Sequence, residues 1–436
     1  MKLYSTNNAD NIVGFQEAVF QSLPKDKGLY MPIELPVMSE DWLNSFENFS
    51  FQEIAKDVCY ELLKDDFSKD DLDKIVDEVI SFPAPLNFLE KDLAVLELFH
   101  GPSFAFKDFG ARFMSRVMAH FSKKEDQLLD VLVATSGDTG GAVALGFLGV
   151  EGTRVTILYP KGKVSPIQEL QLTTNGKNIR AIEIDGTFDD CQALVKQAFV
   201  DEDLQSQLNL TSANSINIAR LIPQSFYYFE AFAHAKREGF DKVSFVVPSG
   251  NFGNITAGIL AYKMGLKVKH FIAATNANDT VPHFFETNEY QPKPSVQTLS
   301  NAMDVGSPSN WVRVMEFFEN DVDDLKSKIE SFSYSDKETV EAIKQIDEKY
   351  NYIACPHTAI AWKAAKEYEL KKKDDKELVV FLSTAHPCKF PEVFSEEIRS
   401  KISNPDAVKE LDENNSQKVA MENNFEELKL WLLDNA

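Results

Sequence analysis

One lysine lies among aromatic residues in the segment HGPSFAFKDFG, residues 100–110. The apolar neighbours of Lys107 in this segment are Phe104, Ala105, Phe106 and Phe109. Lysine is rarely buried, because removing an ammonium group from water costs free energy unless the group is paired or loses its proton. The Lys107 side chain therefore either extends to solvent or carries a neutral amine, the form that attacks an aldehyde.

The letters Asp108-Phe109-Gly110 in the same segment also spell a metal-binding signature of protein kinases. A kinase needs in addition a G-x-G-x-x-G loop, a V-A-I-K lysine and an H-R-D loop, and the sequence contains none of them. The three letters are therefore a coincidence. We expect Asp108 to start or support the helix that follows.

Two glycine-rich loops each follow a hydrophobic strand and open a helix. They are ATSGDTGG at residues 134–141 and SGNFGN at residues 249–254. Free N–H groups at a helix start favour an anion, and small residues let the anion approach. Either loop alone could also be a tight turn. Two such loops in one chain favour a binding function.

The two loops suit different anions. The first is not a Walker loop, because no lysine follows its glycines, and it lacks the spacing of dinucleotide folds. The second has no basic side chain before Lys263. A phosphate held by backbone amides alone usually belongs to a cofactor that the protein carries permanently.

A further strand end, LSTAHPCKF at residues 382–390, carries hydroxyl groups and His386. A lone histidine is more often a structural residue than a catalyst. Ligands in open α/β sheets bind at the carboxyl ends of strands, so this segment, both loops and Lys107 could converge on one crevice. A lysine, a phosphate loop and a second anion loop form a coherent set for pyridoxal phosphate.

Short hydrophobic runs alternate with helical patterns from about residue 93 onward. The predicted strands are 93–99, 131–135, 154–159, 178–184, 243–248, 268–275 and 377–384. The predicted helices lie near 104–120, 139–149, 188–200, 214–237, 254–264 and 358–370. Nearly continuous hydrophobic runs are typical of strands covered by helices on both faces. The sequence therefore predicts an α/β fold with mostly parallel sheets.

The two ends of the chain have a different composition. Residues 1–88 combine helical patterns with acidic clusters, which indicates an N-terminal extension packed on the α/β body. The charged stretch 319–350 is predicted to be a solvated helical face. Residues 405–436 form an acidic tail in which we expect a final amphipathic helix. The apolar residues available there for docking are Phe425, Leu428, Leu430, Trp431 and Leu432.

Composition limits the partners of the chain. Its 436 residues include 68 acidic and 45 basic ones, and the formal net charge of -23 would repel nucleic acid and anionic membranes. The four cysteines lack the spacing of a disulfide framework or a metal knuckle, which fits a reducing cytosol. Asp138 and five glycines within residues 131–150 argue against a membrane-spanning helix. We predict a cytoplasmic protein that acts on a small molecule, without metal, nucleic-acid or membrane partners.

Several motifs together resemble the threonine synthase family of the bacterial and fungal long-chain type. They are ELFHGPSFAFKDFG, ATSGDTG, SANSINIARLIPQ, VPSGNFGN, FIAATNANDTVP, TLSNAMDVGSPSNW and STAHPCKF. The resemblance extends from KLYSTNN to about residue 395. It implies a fold-type II pyridoxal-phosphate enzyme of the tryptophan synthase β superfamily, with two open, mostly parallel sheets flanked by helices.

The resemblance also implies a division into domains. A large cofactor-binding domain would comprise residues 89–110 and 205–404, and a small α/β domain residues 111–204. Two positions differ from the family pattern. Ser103 stands where many relatives have threonine, and Pro223 predicts a kink in the helix that starts at SANSIN.

The resemblance assigns roles to individual residues. Lys107 would form the Schiff base with the cofactor and act as the catalytic base, and Thr384 would hydrogen-bond the pyridine nitrogen. The cofactor phosphate would be held by Gly250, Asn251, Phe252, Gly253 and Asn254. The substrate carboxylate loop would be Ser136, Gly137, Asp138 and Thr139. The substrate phosphate would be bound by Asn214, Ser215, Asn217 and Arg220, since a dianion in an acidic protein needs a cation.

The implied reaction converts O-phospho-L-homoserine and water into L-threonine and phosphate, the last step of threonine biosynthesis. The nearest alternative is a phospholyase of the same fold that yields 2-oxobutyrate. A non-catalytic α/β module that binds a phosphate ligand is the alternative from another class. Assays for threonine and 2-oxobutyrate separate the two enzymes, and a visible cofactor spectrum would exclude the module. The sequence leaves the choice between a monomer and a homodimer open.

Overall fold

The computed structural model describes residues 1–125, 128–372 and 376–435. Its strands, in chain order, are β1 Lys2–Ser5, β2 Asn8–Gly14, β3 Tyr30–Pro32, β4 Leu86–Glu90, β5 Leu93–Glu97, β6 Leu129–Ala134, β7 Thr153–Pro160, β8 Ile179–Asp185, β9 Leu210–Ser212, β10 Lys242–Pro248, β11 Val268–Thr275, β12 Ile329–Ser333, β13 Glu377–Ser383 and β14 Val419–Glu422. Each strand predicted from residue 93 onward is present, with its ends shifted by at most a few residues.

The helices account for most of the remaining chain. In chain order they are α1 Phe15–Gln21, α2 Glu40–Leu43, α3 Phe51–Leu63, α4 Lys69–Val79, α5 Lys107–Glu125, α6 Asp138–Phe147, α7 Pro166–Thr173, α8 Phe188–Ala198, α9 Glu202–Gln207, α10 Ile218–Leu221, α11 Phe226–Arg237, α12 Gly253–Lys263, α13 Thr280–Thr287, α14 Trp311–Phe317, α15 Val322–Lys328, α16 Asp336–Tyr350, α17 Pro356–Lys371, α18 Glu396–Lys401, α19 Asp406–Lys409 and α20 Phe425–Asp434. Across the described ranges, no helix is both long enough and apolar enough to cross a membrane.

The larger sheet has the strand order β12-β11-β10-β13-β5-β4. Its neighbouring strands pair in parallel, except that β4 pairs antiparallel with β5. The residues of β13 are all buried, and those of β5 and β10 nearly all, as expected for strands between two helical layers. The predicted α/β fold with mostly parallel sheets is confirmed.

The smaller sheet has the order β14-β8-β7-β6-β9, and all its neighbouring strands pair in parallel. Strands β9 and β14 lie outside residues 111–204, the range predicted for the small domain. Strand β4 crosses residue 88, the predicted end of the N-terminal extension, and belongs to the larger sheet. The domain boundaries stay predictions, but these strands show where each sheet recruits additional segments.

The predicted C-terminal helix corresponds to α20. Its residues Leu428 and Leu432, four positions apart and hence on one helix face, are buried against the α8 residues Leu194 and Val195. Leu430 was also predicted to dock, but it is 61% exposed because it projects from the opposite face. The last residue of the predicted tail, 436, lies outside the described residues.

Two predicted helical stretches are interrupted. The helix predicted over 214–237 divides into α10, a 3-10 turn at Ile222–Gln224 and α11. Pro223 lies in that turn and has no N–H to continue the α-helical bonding, which confirms the predicted kink. The prediction of an entirely helical face over 319–350 is wrong, because residues 329–333 form β12 between α15 and α16. This strand pairs with β11 at the edge of the larger sheet.

The N-terminal extension contains a small antiparallel sheet, β2-β1-β3, in addition to its predicted helices. Arg313 of α14 joins this sheet to the larger unit. Its side chain has no exposed surface, and its guanidinium donates to the carbonyl oxygens of Tyr30 at 3.0 Å and Ile216 at 2.7 Å and to Asn310 Oδ1 at 2.8 Å. Burial lowers the pKa of Arg313. Carbonyl groups from three separate segments therefore solvate one buried cation.

Replacing Arg313 by Met should destabilise the protein, because the buried carbonyl oxygens of Tyr30 and Ile216 would lose their donors. We expect the free energy of unfolding to fall by about 3 kcal/mol, since each unsatisfied buried polar group costs about 1–3 kcal/mol. Denaturant unfolding followed by fluorescence measures this change. Arg237→Met is the control, because Arg237 is 40% exposed, and such surface changes usually stay within about 0.5 kcal/mol. Equal stability of the two variants would contradict the role given to Arg313.

Candidate active site

Lys107 is the first residue of α5 and ends the loop that follows β5. Two backbone hydrogen bonds attach this loop to the end of β13. The Phe106 N–H donates to Thr384 O at 2.9 Å, and the His386 N–H donates to Phe104 O at 3.0 Å. Phe104 adopts a left-handed conformation with φ of 58°, which a bulky residue keeps only where its surroundings enforce it. The bonds thus hold the backbone before Lys107 against Thr384.

The Lys107 side chain is half-buried and stands among charged groups. Burial lowers the pKa of its amine from 10.5 to about 8, although the carboxylate of Asp138 acts in the opposite direction. The positive charges of Arg220 and Lys389 lower the pKa further. A larger fraction of the amine is therefore neutral near neutral pH than in an ordinary lysine, as a nucleophilic lysine requires.

The aromatic neighbours of Lys107 do not all line one pocket. Phe109 is fully buried and packs on Phe82 and Tyr227, with ring centroids 4.8 and 5.2 Å apart. It therefore anchors α5 in the hydrophobic core. Asp108 accepts a hydrogen bond from the Ser103 N–H at 2.9 Å, and burial raises the pKa of its carboxyl to about 6. Asp108 thus supports the start of α5, as predicted.

The loop after β10 leads into α12, an 11-residue helix. Phe252 caps it in a left-handed conformation, with φ of 60°, and provides no side-chain cap. Among the described residues, the N–H groups of Phe252, Gly253 and Asn254 have no acceptor. A Cβ at Gly250 would lie 2.6 Å from Met303 Cα, so only glycine fits there. This helix start has the free donors and the close backbone approach that a phosphate group needs.

Asn254 adds a side-chain donor to this helix start. Tyr227 and Tyr228 donate to its Oδ1 at 2.7 and 2.8 Å, which leaves its Nδ2 as the remaining donor. That Nδ2 is buried and has no partner in the described part of the chain. A buried donor without an acceptor is rare. The unpaired amide fits an anion bound at this position, such as the phosphate of pyridoxal phosphate.

Asn251 connects the phosphate loop to two other segments. Its Nδ2 donates to Ser215 Oγ at 2.6 Å, and its Oδ1 accepts from the Ser309 N–H at 2.6 Å. The Asn251 carbonyl oxygen accepts from Asn310 Nδ2 at 3.1 Å. The side chain of Asn251 therefore positions the loop. Asn251 was predicted to bind the cofactor phosphate and Ser215 the substrate phosphate, and in the structure their side chains are hydrogen-bonded to each other.

The other residues predicted for the substrate phosphate occupy the same region. Asn214 is half-buried, whereas Arg220 is buried and donates to Ala213 O at 2.6 Å. The Nε of Arg220 is buried without a hydrogen-bond partner among the described residues. Asn217 is different, since its Nδ2 donates to Val19 O at 2.8 Å and its Oδ1 caps α10. Both ends of the Asn217 amide are occupied by the protein itself, whereas the roles of Asn214, Ser215 and Arg220 stay predictions.

The loop predicted for the substrate carboxylate lies between β6 and α6. Ser136 and Thr139 are half-buried. Thr135 Oγ1 accepts from the N–H groups of Gly137 and Gly140 at 3.0 and 2.8 Å. Gly137 has φ of 130°, a conformation that favours glycine. The loop is tightly folded and presents two hydroxyl groups at a helix start.

Asp138 differs from the other members of its loop. Its side chain is 4% exposed, and Lys389 Nζ lies 2.7 Å from its Oδ1. Burial opposes ionisation of Asp138, but Lys389 and Lys107 hold the pKa of its carboxyl well below the ordinary range. The predicted set therefore includes one residue whose carboxylate is already paired inside the protein.

Sequence reasoning missed two residues near Lys107. Lys389 is completely buried and follows β13. His357 is 3% exposed, and its Nε2 has no hydrogen-bond partner within the described ranges. Burial lowers the pKa of His357 to about 4, against the attraction of Asp138, so its ring is neutral near pH 7. A signal existed for Lys389, because it too lies in an apolar context, between Cys388 and Phe390.

Thr384 and His386 both lie in the segment that follows β13. Thr384 is 5% exposed, and its hydroxyl makes no hydrogen bond to the described residues. His386 Nδ1 accepts from the Cys388 N–H at 3.1 Å, which caps a short 3-10 turn. The histidine is therefore structural, and Thr384 keeps a hydroxyl available beside the Lys107 loop.

Sequence profiles of known families match almost the whole chain. A profile described as pyridoxal-phosphate dependent enzyme matches residues 83–385. Two others, described as threonine synthase N terminus and threonine synthase, C-terminal, match residues 2–80 and 358–431.

Individual relatives and solved structures agree with these profiles. A threonine synthase of Escherichia coli K12 is 45% identical over 392 residues, covering 90% of this chain and 90% of its own. The crystal structure of threonine synthase from Escherichia coli superposes with a TM-score of 0.92 at 41% identity, covering 100% of both chains. A pyridoxal-phosphate-bound threonine synthase from Brucella melitensis gives 0.89 at 32% identity, covering 99% of this chain and 98% of that one.

The lowered pKa of Lys107 can be measured directly. In the full chain without cofactor, brief acetylation at a series of pH values should modify Lys107 with a midpoint of about 8, because only the neutral amine reacts. Peptide mass spectrometry quantifies the product. Lys401 serves as the internal control, since its hydrogen bond to Asp347 raises its pKa above 10.5. Equal midpoints for the two lysines would contradict the environment described for Lys107.

Proposed function

The chain belongs to the threonine synthase family, and from that premise we propose which of its residues carry the reaction. The enzyme uses pyridoxal 5'-phosphate to eliminate phosphate from O-phospho-L-homoserine and to add water, which yields L-threonine. We include in the proposal the cytoplasmic location that the cysteine pattern predicts. The residue roles below rest on the geometry of this chain.

The cofactor phosphate is bound at the start of α12 in this proposal. The free N–H groups of Phe252, Gly253 and Asn254 supply backbone donors, and Asn254 Nδ2 supplies a side-chain donor. Gly250 permits the close approach. Asn251 fixes the loop through its bonds to neighbouring segments. Because these donors are held in place before binding, little free energy is spent on ordering them.

Pyridoxal phosphate supplies an aldehyde that bonds to amines and an electron-withdrawing ring that stabilises negative charge beside the substrate α-carbon. Lys107 provides the protein amine for that aldehyde. With its amine free and the substrate bound, Lys107 would move protons at Cα and Cβ of the substrate. Its lowered pKa suits this task, since a group that both accepts and donates a proton works best near the operating pH.

Thr384 is the proposed partner of the pyridine nitrogen. Its hydroxyl has no other partner among the described residues, and it lies beside the Lys107 loop through the bond between Phe106 N–H and Thr384 O. A hydroxyl, unlike a carboxylate, can donate a hydrogen bond to a nitrogen that carries no proton. Thr384 would therefore keep the ring nitrogen largely neutral.

We propose that the substrate binds through its charged groups, between the loops of the larger sheet and the loops of the smaller sheet. Ser136 and Thr139, with the N–H groups at the start of α6, would receive its carboxylate. Arg220 would supply the cation for its phosphate, together with Asn214 and Ser215. Asn217 holds this segment in place through Val19 O. These few donors, with Arg220 as the buried cation, would allow a protein of net charge -23 to bind an anionic substrate.

One observation carries the proposal. Hydrogen bonds join the end of β13 to the loop before α5 and hold the backbone next to Lys107, a partly desolvated lysine, against Thr384, which supports the pairing of these two residues in one site. The cofactor needs an amine, donors for its phosphate and a partner for its ring nitrogen. In this proposal Lys107 supplies the amine, the free N–H groups at the start of α12 are the phosphate donors, and Thr384 is the partner of the ring nitrogen.

Lys107→Ala should reduce threonine formation by at least about 10³-fold, because the variant lacks both the amine for the cofactor and the general base. Alanine is a good helix former, so the start of α5 should remain folded. Threonine and 2-oxobutyrate are measured from O-phospho-L-homoserine, and circular dichroism checks the fold. Lys401→Ala is the control and should retain activity. Native turnover by the Lys107 variant would refute its assignment, and 2-oxobutyrate as the main product of the native enzyme would indicate a phospholyase.

Replacing both Tyr227 and Tyr228 by Phe should weaken cofactor binding. Without the two hydroxyl donors, the Asn254 amide is free to rotate and its Nδ2 is no longer directed. At about 1 kcal/mol for each lost hydrogen bond, the dissociation constant should rise about tenfold or more. Equilibrium titration with pyridoxal phosphate measures this. Tyr262→Phe, in the same helix as Asn254, is the control. Unchanged affinity in the double variant would show that the tyrosines do not orient Asn254.

A further inference from the structure

Lys389 has no role in the reaction as proposed above, yet it is among the most deeply buried charged residues of the chain. Its side chain has no exposed surface, its Nζ lies 2.7 Å from Asp138 Oδ1 and it donates to Ser103 O at 2.9 Å. Gln168 Nε2 donates to the same Asp138 oxygen at 3.0 Å. The segment after β13, the start of α6 and the loop before α5 therefore meet at one ammonium group.

Other charged groups surround the pair of Lys389 and Asp138. Asp138 faces Lys389, Lys107 and the ring of His357. Lys107 faces Asp138, Arg220 and Lys389. The carboxyl of Asp108, next to Lys107 in the chain, faces Lys389, Arg112 and Arg220. The Asp138 carboxylate thus interacts with the positive charges of two lysines, Lys389 at 2.7 Å and Lys107.

We propose that Lys389 is a positioning residue that neutralises Asp138 and so prevents this carboxylate from holding Lys107 as an ammonium ion. The inference rests on the proposed function, in which Lys107 is the reactive amine. A carboxylate near a nucleophilic lysine favours the protonated, unreactive form of that lysine. By pairing with Asp138 at short range, Lys389 neutralises the negative charge that would otherwise stabilise the ammonium form of Lys107.

The same pair explains how a carboxylate fits into an anion-binding loop. Asp138 belongs to the loop proposed for the substrate carboxylate, and an unpaired negative charge there would repel that group. With Lys389 bound to it, the loop presents its hydroxyl and N–H groups without a net negative charge. Removing Lys389 alone would leave Asp138 buried, with Lys107 as the remaining lysine that faces it.

The test measures the protonation of Lys107 itself. Pulse acetylation at a series of pH values is applied to the cofactor-free full chain of the native protein, Lys389→Met, Asp138→Asn and the double variant. Lys389→Met should raise the Lys107 midpoint by about one pH unit or more, which leaves about tenfold less neutral amine near pH 7. Asp138→Asn should lower the midpoint. The double variant should return near the native value.

Controls separate this role from a merely structural one. Lys372 is also an ion-paired lysine, and it is 9% exposed. It lies at the amino end of β13, whereas Thr384 and Lys389 follow the carboxyl end of that strand. Lys372→Met should leave the Lys107 midpoint unchanged. An unchanged or lowered midpoint in folded Lys389→Met would overturn the inference, as would a raised midpoint in Asp138→Asn.

The design also covers a variant that does not fold. If Lys389→Met is unfolded by its unpaired carboxylate, Lys389→Gln replaces it, because the neutral amide of glutamine can still donate a hydrogen bond to Asp138. A raised Lys107 midpoint in Lys389→Gln supports the inference, and an unchanged or lowered one overturns it. Failure of the proposed function would show differently, as threonine formation by Lys107→Ala, which does not depend on these midpoints.

Discussion

Parallel pairing of β13 with both β5 and β10 is the constraint on which the active site depends. Parallel strands end at one edge of a sheet, so the loops after these three neighbours are adjacent whatever their sequences. One loop carries Lys107, the next carries Thr384 and the third leads into the start of α12, where the phosphate donors lie. The smaller sheet contributes the loop of Ser136 and Thr139 in the same way. The geometry of the sheets thus gathers groups as far apart in the chain as Lys107 and Thr384, which are separated by 277 positions.

Buried polar groups keep these loops in fixed positions. Arg313 binds carbonyl groups of the N-terminal extension and of the segment that contains Ser215, and Asn310 links it to Asn251. Lys389 acts similarly on the side of Asp138. Each of these cations would be costly if its partners moved away, because an unsatisfied charge in the interior loses its compensation. The site is therefore held by interactions that favour one arrangement, which is what preorganised catalysis requires.

Most of the fold and the central residue could be predicted from sequence. Continuous hydrophobic runs identified the parallel strands, because burial on both faces leaves no alternation, and Lys107 stood out as a charge in an apolar segment. Short strands such as β9 and β12 were missed, because three to five residues carry too little pattern and their pairing is set by distant partners. Asn217 and Lys389 show that side-chain contacts with distant residues are equally hard to predict from local sequence. Nothing local indicates that one amide bonds Val19 O or that one lysine meets Asp138, since both contacts are made only by the folded chain.

The C-terminal strand β14 has a consequence for the integrity of the smaller sheet. It pairs with the second part of β8, from Ile182 to Asp185, and α20 covers Leu194 next to it. Without these last residues, β8 would present a row of unpaired backbone groups beside exposed leucine side chains, which is a template for association between chains. β14, which forms the edge of the sheet in place of β8, is only four residues long, and short edge strands are poor templates for association between chains. We therefore expect the acidic tail to protect the smaller sheet against association between chains, although it contains none of the proposed site residues.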